Sequence, residues 1–386
     1  MPPKPPTSPT SHDPRQKILV LGWRKAGKTS CIKTVFQQAP AQEVPHFGVT
    51  QKIEQIDYNS IIPLQIWDTP SNFEIDQLEV PLSSFSTIVY VLDMQQDDSY
   101  HDSIRKFVHI MVRAYLSNPA IRFHMFIHKA EMLSEDYRGE NYAEIQRTTA
   151  EEIEDFRYGD FQSLAPGWDF EDPGTVGMII NTLIPDVVYS MTSAHDVSLR
   201  AAWSKVIQGS MEMLPAVESL LLDFTSHSST DNTFLFDMKS RVILATDNRH
   251  RTDELTEQVT EYLASFLQFQ SLYKAIAQRP VEDNEDEEDG EDEDGEGEEE
   301  GGDDEEEEEE EDEEGREWWD DEDPDAPWMT QSTRLLPSTT LAMWQFTPYL
   351  ALVVLLRTDT WQVRRGTIEY NLTFLRQGVR EILTVV

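Results

Sequence analysis

Apolar and polar positions alternate along this chain in two rhythms. Short apolar runs fall at Ile18–Leu21, Leu64–Trp67, Ser86–Leu92, Phe123–His128 and Asp186–Thr192. Runs of roughly four to eight apolar residues bounded by turn signals fit strands buried on both faces. Between them the spacing changes to threes and fours. Ile104, Phe107, Val108, Met111 and Tyr115 make one apolar stripe that predicts a helix over Asp102–Ser117, ended by Asn118-Pro119. Helices are also predicted over Ser30–Gln38 and over Ser198–Met213, the latter stopped near Pro215. Lys52–Tyr58 reads as a strand paired with Leu64–Trp67 and leading to Asp68. Strands and helices in turn from Lys17 to about Leu222 predict an α/β domain built on a parallel sheet.

A second unit follows with a different rhythm. Thr233–Asp237 and Val242–Ala245 predict a hairpin around Met238–Arg241, and Thr252–Gln278 a long helix. Arg334–Phe346 and Tyr349–Arg357 predict two more strands, and Gly366–Val385 a closing helix with Ile368, Leu372, Leu375, Val379, Ile382 and Leu383 on its apolar face. The order makes residues 223–386 an α+β domain large enough for its own core.

Charge alters this picture in one place. Of the net charge of −42, the stretch 282–325 supplies 33 acidic residues against one Arg, or −32, which leaves −10 for the rest. Such a tract repels itself and buries too little apolar area to offset the entropy of ordering, so it is expected to be a disordered insertion between a helix and a strand. It reads either as a solvated loop or as a dock for a basic partner surface, with Trp318, Trp319 and Trp328 as anchors. The first 16 residues read as a disordered Pro-rich tail. Lys and Arg do not cluster, which argues against a nucleic-acid partner. Cys31 is the single cysteine and is expected to pack rather than react. No secretory, lipidation or membrane-spanning signal stands out, so any membrane association is expected to be indirect.

Chemistry concentrates after the first strand. Gly22-Trp-Arg-Lys-Ala-Gly27-Lys28-Thr29 is a P-loop pattern set between strand and helix, with Ser30 next. Backbone amides of Gly22, Trp23, Arg24, Lys25, Ala26 and Gly27, together with the helix N-terminus, would cradle a polyphosphate. Lys28 would reach the outer phosphates, and Thr29 would offer its hydroxyl to Mg²⁺. The alternative is a glycine turn with Lys28 as a solvated charge. Asp68, in Trp67-Asp68-Thr69-Pro70-Ser71, stands at a strand end where a carboxylate can hold the metal through water. That stretch resembles the D-x-x-G element of regulatory GTPases, with Ser71 in the glycine slot and Asn72 where a water-orienting Gln is common. His128-Lys129-Ala130-Glu131 resembles the guanine-reading N-K-x-D, and Thr192-Ser193-Ala194-His195 resembles the S-A-K base loop, with His195 in the lysine place. Thr50 matches the switch threonine that completes the metal shell.

Taken together, these residues resemble the Rag-type GTPases, and within them the C/D-type subunit in its fungal form, over Lys17–Val386 without the acidic insertion. His128-Lys129 for N-K, Trp67-Asp68-x-Pro70, Ala114-Tyr115-x-x-Asn118-Pro119, Thr233-x-Leu235-Phe236-Asp237 and Gly366-x-Ile368-x-Tyr370-Asn371 carry the likeness; Ser71, Asn72 and Glu131 depart from it. The resemblance implies a Ras-like P-loop NTPase domain over 17–222 and a roadblock-type dimerisation domain over 223–386. It implies binding of GTP or GDP with Mg²⁺ held by Thr29, Thr50 and Asp68, and slow GTP hydrolysis involving Thr50, Asp68 and Asn72. The nucleotide would be held by residues 22–30 and by His128, Lys129, Glu131, Ser193 and Ala194. Its implied partners are an A/B-type subunit, a vacuolar or lysosomal scaffold complex, a GTPase-activating protein and the TOR kinase complex, to which it would relay amino-acid availability. The implied location is the cytosolic face of the vacuole or lysosome, with the nucleus as a second compartment. A competing reading is a nucleotide-holding scaffold with negligible turnover, acting through roadblock dimerisation; a third, an acidic chaperone, rests on the tract alone.

Overall fold

The computed structural model describes residues 15–95, 100–156, 168–277, 330–347 and 349–384. The acidic insertion expected at 282–325, its three tryptophans and nearly all of the N-terminal tail lie outside the described residues. Gln16, expected in that tail, instead opens the first strand.

The first unit runs β1 (Gln16–Gly22), α1 (Lys28–Phe36), β2 (Glu54–Tyr58), β3 (Leu64–Asp68), β4 (Phe85–Asp93), α2 (Tyr100–Ser117), β5 (Arg122–His128), α3 (Glu135–Glu154), α4 (Pro173–Asp186), β6 (Val187–Thr192) and α5 (Ser198–Ser210). Its six strands lie in the order β2-β3-β1-β4-β5-β6. All neighbours are parallel except β2, which runs antiparallel to β3 at the edge. Edge position suits β2, whose Glu54, Gln55 and Asp57 are exposed and polar. By contrast β1, β3, β4 and β5 are buried on both faces, as their unbroken apolar runs demand.

Two helices of this unit, like α6 (Leu214–Ser228) after it, were not expected from periodicity. α3 buries only Ile145, Thr148, Thr149 and Ile153, so its apolar stripe is too sparse to register. α4 starts at an Asp172-Pro173 cap, where Asp172 accepts from the amides of Gly174 and Thr175 at 3.1 and 3.0 Å. Both pack on the face of the sheet that holds α2, around Phe107, Met111, Phe123 and Leu183.

The second unit runs α6 (Leu214–Ser228), β7 (Asn232–Asp237), β8 (Ile243–Thr246), α7 (Asp253–Ala277), β9 (Thr330–Leu336), β10 (Thr339–Gln345), β11 (Leu350–Arg357) and α8 (Thr358–Thr384). Its five strands are ordered β8-β7-β11-β10-β9 and wholly antiparallel. Three boundaries differ from expectation. Pro215 opens α6 in its first turn rather than ending the previous helix, because a proline lacks only an amide that the first turn leaves unpaired. The expected domain boundary at 222 falls inside α6, whose Leu221 and Phe224 join the core beneath α8. The single strand expected over 334–346 is a hairpin, turned at Pro337-Ser338.

This sheet carries α7 on one face, over Phe234, Phe236, Val259, Leu263 and Met343, and α6 with α8 on the other. The second of these layers is continuous with the first unit. One apolar cluster passes from Ile18, Ile32 and Phe36 through Trp203 and Val206 of α5 to Leu235, Val242, Leu352 and Leu372. The molecule is thus a P-loop GTPase-type α/β unit followed by a roadblock-type α+β unit on a shared core.

Candidate nucleotide site

Apart from Thr50, in the loop before β2, the candidate residues stand at or just past the carboxyl ends of β1, β3, β5 and β6, the edge where ligands of parallel α/β sheets bind. The loop from Gly22 to Gly27 joins β1 to α1, which begins at Lys28, two residues earlier than periodicity indicated. Gly27 caps the helix at φ 100, a left-handed conformation that favours glycine, and a Cβ there would lie 2.5 Å from Cδ2 of His128. Gly22 lies so close to β4 that its Cβ would stand 2.2 Å from the Val91 carbonyl oxygen. Trp23, Arg24 and Lys25 are exposed at the loop's tip, while Ala26 and Ser30 are buried.

Lys28 is buried and folds back over the loop, donating to the carbonyls of Gly22 and Trp23 at 3.0 and 3.3 Å. Burial pulls its pKa down to about 8, against the opposing charge of Asp68. Beside it three side chains converge. Thr29 Oγ1 donates to Asp68 Oδ2 at 2.5 Å, Thr50 Oγ1 donates to the same oxygen at 3.0 Å, and the two hydroxyls are 2.8 Å apart. Thr29 comes from α1, Thr50 from the loop before β2 and Asp68 from the end of β3. Asp68 is fully buried, and its Oδ1 has no hydrogen-bond partner. Burial raises its pKa, and the two hydroxyls and Lys28 only partly offset that.

An orphaned carboxylate oxygen beside two convergent hydroxyls fits a hard divalent cation, which takes few protein oxygens and keeps several waters. Among the described residues no group of three or more His, Cys, Asp and Glu could hold a metal ion, so any cation site here rests on hydroxyls with one carboxylate. Ser71 and Asn72 lie in the loop after β3, where Asn72 is exposed and takes no part in this hydrogen-bond cluster.

The other half of the site meets the P-loop at His128. Its ring packs against Gly27, and Nδ1 lies 3.0 Å from Thr192 Oγ1 of β6. Burial holds the imidazole pKa down at about 4, so the ring is neutral near pH 7. Lys129, at φ 64, donates to the Lys25 carbonyl at 2.8 Å and to Asp93 Oδ2 at 2.6 Å. One lysine thereby ties the base-side loop to the P-loop and to the end of β4. Glu131 follows in a short 3₁₀ turn, and its buried Oε2 has no partner, an open acceptor where a base edge would need one. After β6, Ser193 Oγ accepts from the amide of His195 at 3.0 Å and the Ser193 amide donates to Ser198 Oγ at 2.9 Å, which fixes the turn carrying Ala194. His195 is exposed. Cys31 is fully buried, and burial pushes its thiol far above the ordinary range, as its expected packing role requires.

A protein-family model described as the Gtr1/RagA G protein conserved region matches residues 17–267, across the P-loop, Thr50, Asp68 and both base-side loops. The chain belongs to the Gtr/Rag family of G proteins. Within it, the chain is 25% identical over 374 residues to the GTP-binding protein gtr2 of Schizosaccharomyces pombe, covering 96% of this chain and 98% of that one. It is 27% identical over 378 residues to the human Ras-related GTP-binding protein C, with coverage of 96% and 77%. To the GTP-binding protein gtr1 of S. pombe it is 21% identical over 276 residues, with coverage of 67% and 80%. This Gtr/Rag protein is accordingly a GTP-binding member of its family, and no helix among the described residues is long and apolar enough to cross a membrane.

Two contributors to the Gtr/Rag site escaped the sequence. Asp93 ends an apolar strand with no motif around it; only its register beside His128 on β5 reveals that Lys129 can reach it. Thr192 stood in the quoted base-loop stretch, but its bond to His128 depends on the parallel pairing of β5 with β6.

Proposed function

We propose that this chain is the C/D-type subunit of a Rag heterodimer and works as a GTP/GDP switch with slow hydrolysis. The observation that carries the switch is the convergence of Thr29, Thr50 and Asp68 beside buried Lys28. Thr50 belongs to a loop, so a cation and a terminal phosphate at this point would order that loop, and their loss would release it. Lys28 and the loop amides would hold the β- and γ-phosphates, and Thr29, Thr50 and Asp68 would hold Mg²⁺, which when bound neutralises charge on the phosphates. His128, Lys129 and Glu131 would hold guanine against the Ser193-Ala194 turn.

The C/D assignment rests on relatives. Similarity to gtr2 and to protein C extends over nearly the whole chain, whereas similarity to gtr1 is lower and shorter. An A/B-type partner would bind through the second unit, where Val363, Tyr370 and Phe374 stand exposed along α8. A vacuolar or lysosomal scaffold would then hold the pair at the membrane, where it would relay amino-acid availability to the TOR kinase complex under control of a GTPase-activating protein.

Exposed Asn72 and the Ser71 substitution favour a second reading, a nucleotide-holding scaffold with negligible turnover. Affinities for GTP, GDP and ATP with Mg²⁺, measured on the copurified heterodimer beside Lys28→Ala, test the binding site. Guanine-selective binding lost in the variant is expected; base-indifferent binding refutes the role given to Glu131. Single-turnover hydrolysis with an activating protein then separates switch from scaffold, since no release of phosphate would leave only the scaffold.

A further inference from the structure

A cleft of about 570 Å³ opens along the seam between the two units, beside the turn that follows β6. One wall comes from β6 and α5 of the first unit, the other from the β7–β8 turn and the start of α7. Its volume lies in the range of small-molecule sites, roughly 300–1,000 Å³.

The lining is unusual in its charge. Arg200 on α5 and Arg241 on the β7–β8 turn both line the cleft, both are half-buried, and among the described residues neither side chain has a hydrogen bond or an ion pair. Arg200 Nε is wholly shielded from solvent without a partner. Burial lowers the pKa of each guanidinium, and for Arg200 the charge of Arg241 lowers it further. Two partly desolvated like charges that line one cleft are costly unless an anion is shared between them. Protein carboxylates do not supply it: Asp196, Asp253 and Glu257 line the cleft, yet Asp196 is taken up by the Ser198 amide at 2.9 Å, and among the described residues none of the three forms an ion pair with either arginine.

A second observation points to the same space. Ser190 on β6 is 7% exposed, lines the cleft, and its buried hydroxyl has no hydrogen-bond partner. Ser204, one turn beyond Arg200, is by contrast committed, accepting from the Ile243 amide at 3.0 Å and so joining α5 to β8.

We propose that this interdomain cleft is a binding site for a small phosphate monoester, held between Arg200 of the first unit and Arg241 of the second. Two guanidinium forks match a group carrying close to two negative charges and three acceptor oxygens, where a lone carboxylate would leave one arginine unpaired. Because each arginine belongs to a different unit, the ligand bridges them and holds their relative orientation. The site is independent of the nucleotide reading and stands or falls separately from it.

The test uses the full chain in its copurified complex, with saturating GDP and Mg²⁺ so that the P-loop cannot take the probe. Glycerol 2-phosphate is titrated and followed by ³¹P line broadening and by thermal shift, with acetate at equal ionic strength as control. Saturable broadening with a rise in melting temperature is expected, absent with acetate. Arg200→Gln and Arg241→Gln should each weaken binding at least tenfold with GDP affinity unchanged, and Arg200→Lys should fall between. Broadening that does not saturate, a shift reproduced by acetate, or equal binding in variants that still hold GDP would overturn the proposal.

Discussion

Asp237 offers the sharpest test of how the two units are joined. It ends β7, is 1% exposed, and accepts from the hydroxyls of Tyr58 and Ser60, which flank the end of β2, and from Ser240 through its amide at 2.7 Å and its hydroxyl at 2.5 Å. Among the described residues no cation pairs with this carboxylate, and hydrogen bonds compensate its burial. The Tyr58 hydroxyl stays a donor at any working pH, since burial and the charge of Asp237 push its pKa far above the ordinary phenol range. Tyr58→Phe removes one donor and little else. The ring keeps its edge contact with Phe36, centroids 5.0 Å apart, and its place under Lys239 at 5.2 Å. A hydrogen bond to a charged group contributes about 1.5–3 kcal/mol, so a loss of about 2 kcal/mol is expected. With a slope near 2 kcal/mol per molar urea, the unfolding midpoint should fall by about 1 M. The measurement is equilibrium urea unfolding of wild type, Tyr58→Phe, Asp237→Asn and the double variant. A coupling energy above about 1 kcal/mol between the two sites is expected for residues in direct contact. A Tyr58→Phe effect within about 0.5 kcal/mol, or additive single effects, would show that this bond does not stabilise the seam.

Other predictions concern the nucleotide site and acid stability. Gly27→Ala adds a Cβ 2.5 Å from the His128 ring at φ 100, a strain of about 1–3 kcal/mol, and should lower GDP affinity roughly 10–100-fold in a fluorescent-nucleotide titration. Asp93→Ala releases Lys129 from its 2.6 Å ion pair and should cost GDP about tenfold in affinity, mainly by faster dissociation, while leaving the Lys28 contacts alone. Phe374→Asp places a charge on the exposed α8 face and should reduce copurification of the A/B-type subunit without altering GDP binding. His124 and His128 are both held at about 4 by burial. Their unfolded values lie near 6.5, so the unfolded chain binds more protons between pH 4 and 6.5, and stability should fall as pH drops through that window. Each accounts for up to about 3 kcal/mol of that fall, and His124→Gln should flatten the pH profile of the unfolding midpoint by its share.

Elements with an unbroken apolar run or a strong stripe were legible in the sequence. Runs such as Ser86–Leu92 and Phe123–His128, short and bounded by turn signals, read as buried strands, and the stripe from Ile104 to Tyr115 reads as a helix. α3 was not legible because most of its surface faces water, and Pro215 was misread because proline serves equally as a stop and as a first-turn residue. Within the site, Thr29 and Asp68 could be named from local patterns and Thr50 from its place between the first helix and the second strand, and the structure brings all three within hydrogen-bonding distance. Asp93, Arg200, Arg241 and Asp237 could not. Their roles come from neighbours on other strands and from the second unit, and no local pattern encodes a distance of that kind.

The apolar cluster that runs from β1 through Trp203 into the second sheet bears on how this chain opens. Trp203 is fully buried, donates its indole N–H to the Cys31 carbonyl at 3.0 Å, and packs edge-on against both Phe36 and Phe126. Lifting the second unit away would uncover the same layer that supports α1 and the P-loop. Amides of Ile18 and Leu235, far apart in sequence and in different sheets, should therefore exchange hydrogen at a common rate set by a single opening event. The two units, distinct in topology, are expected in that respect to open as one foldon.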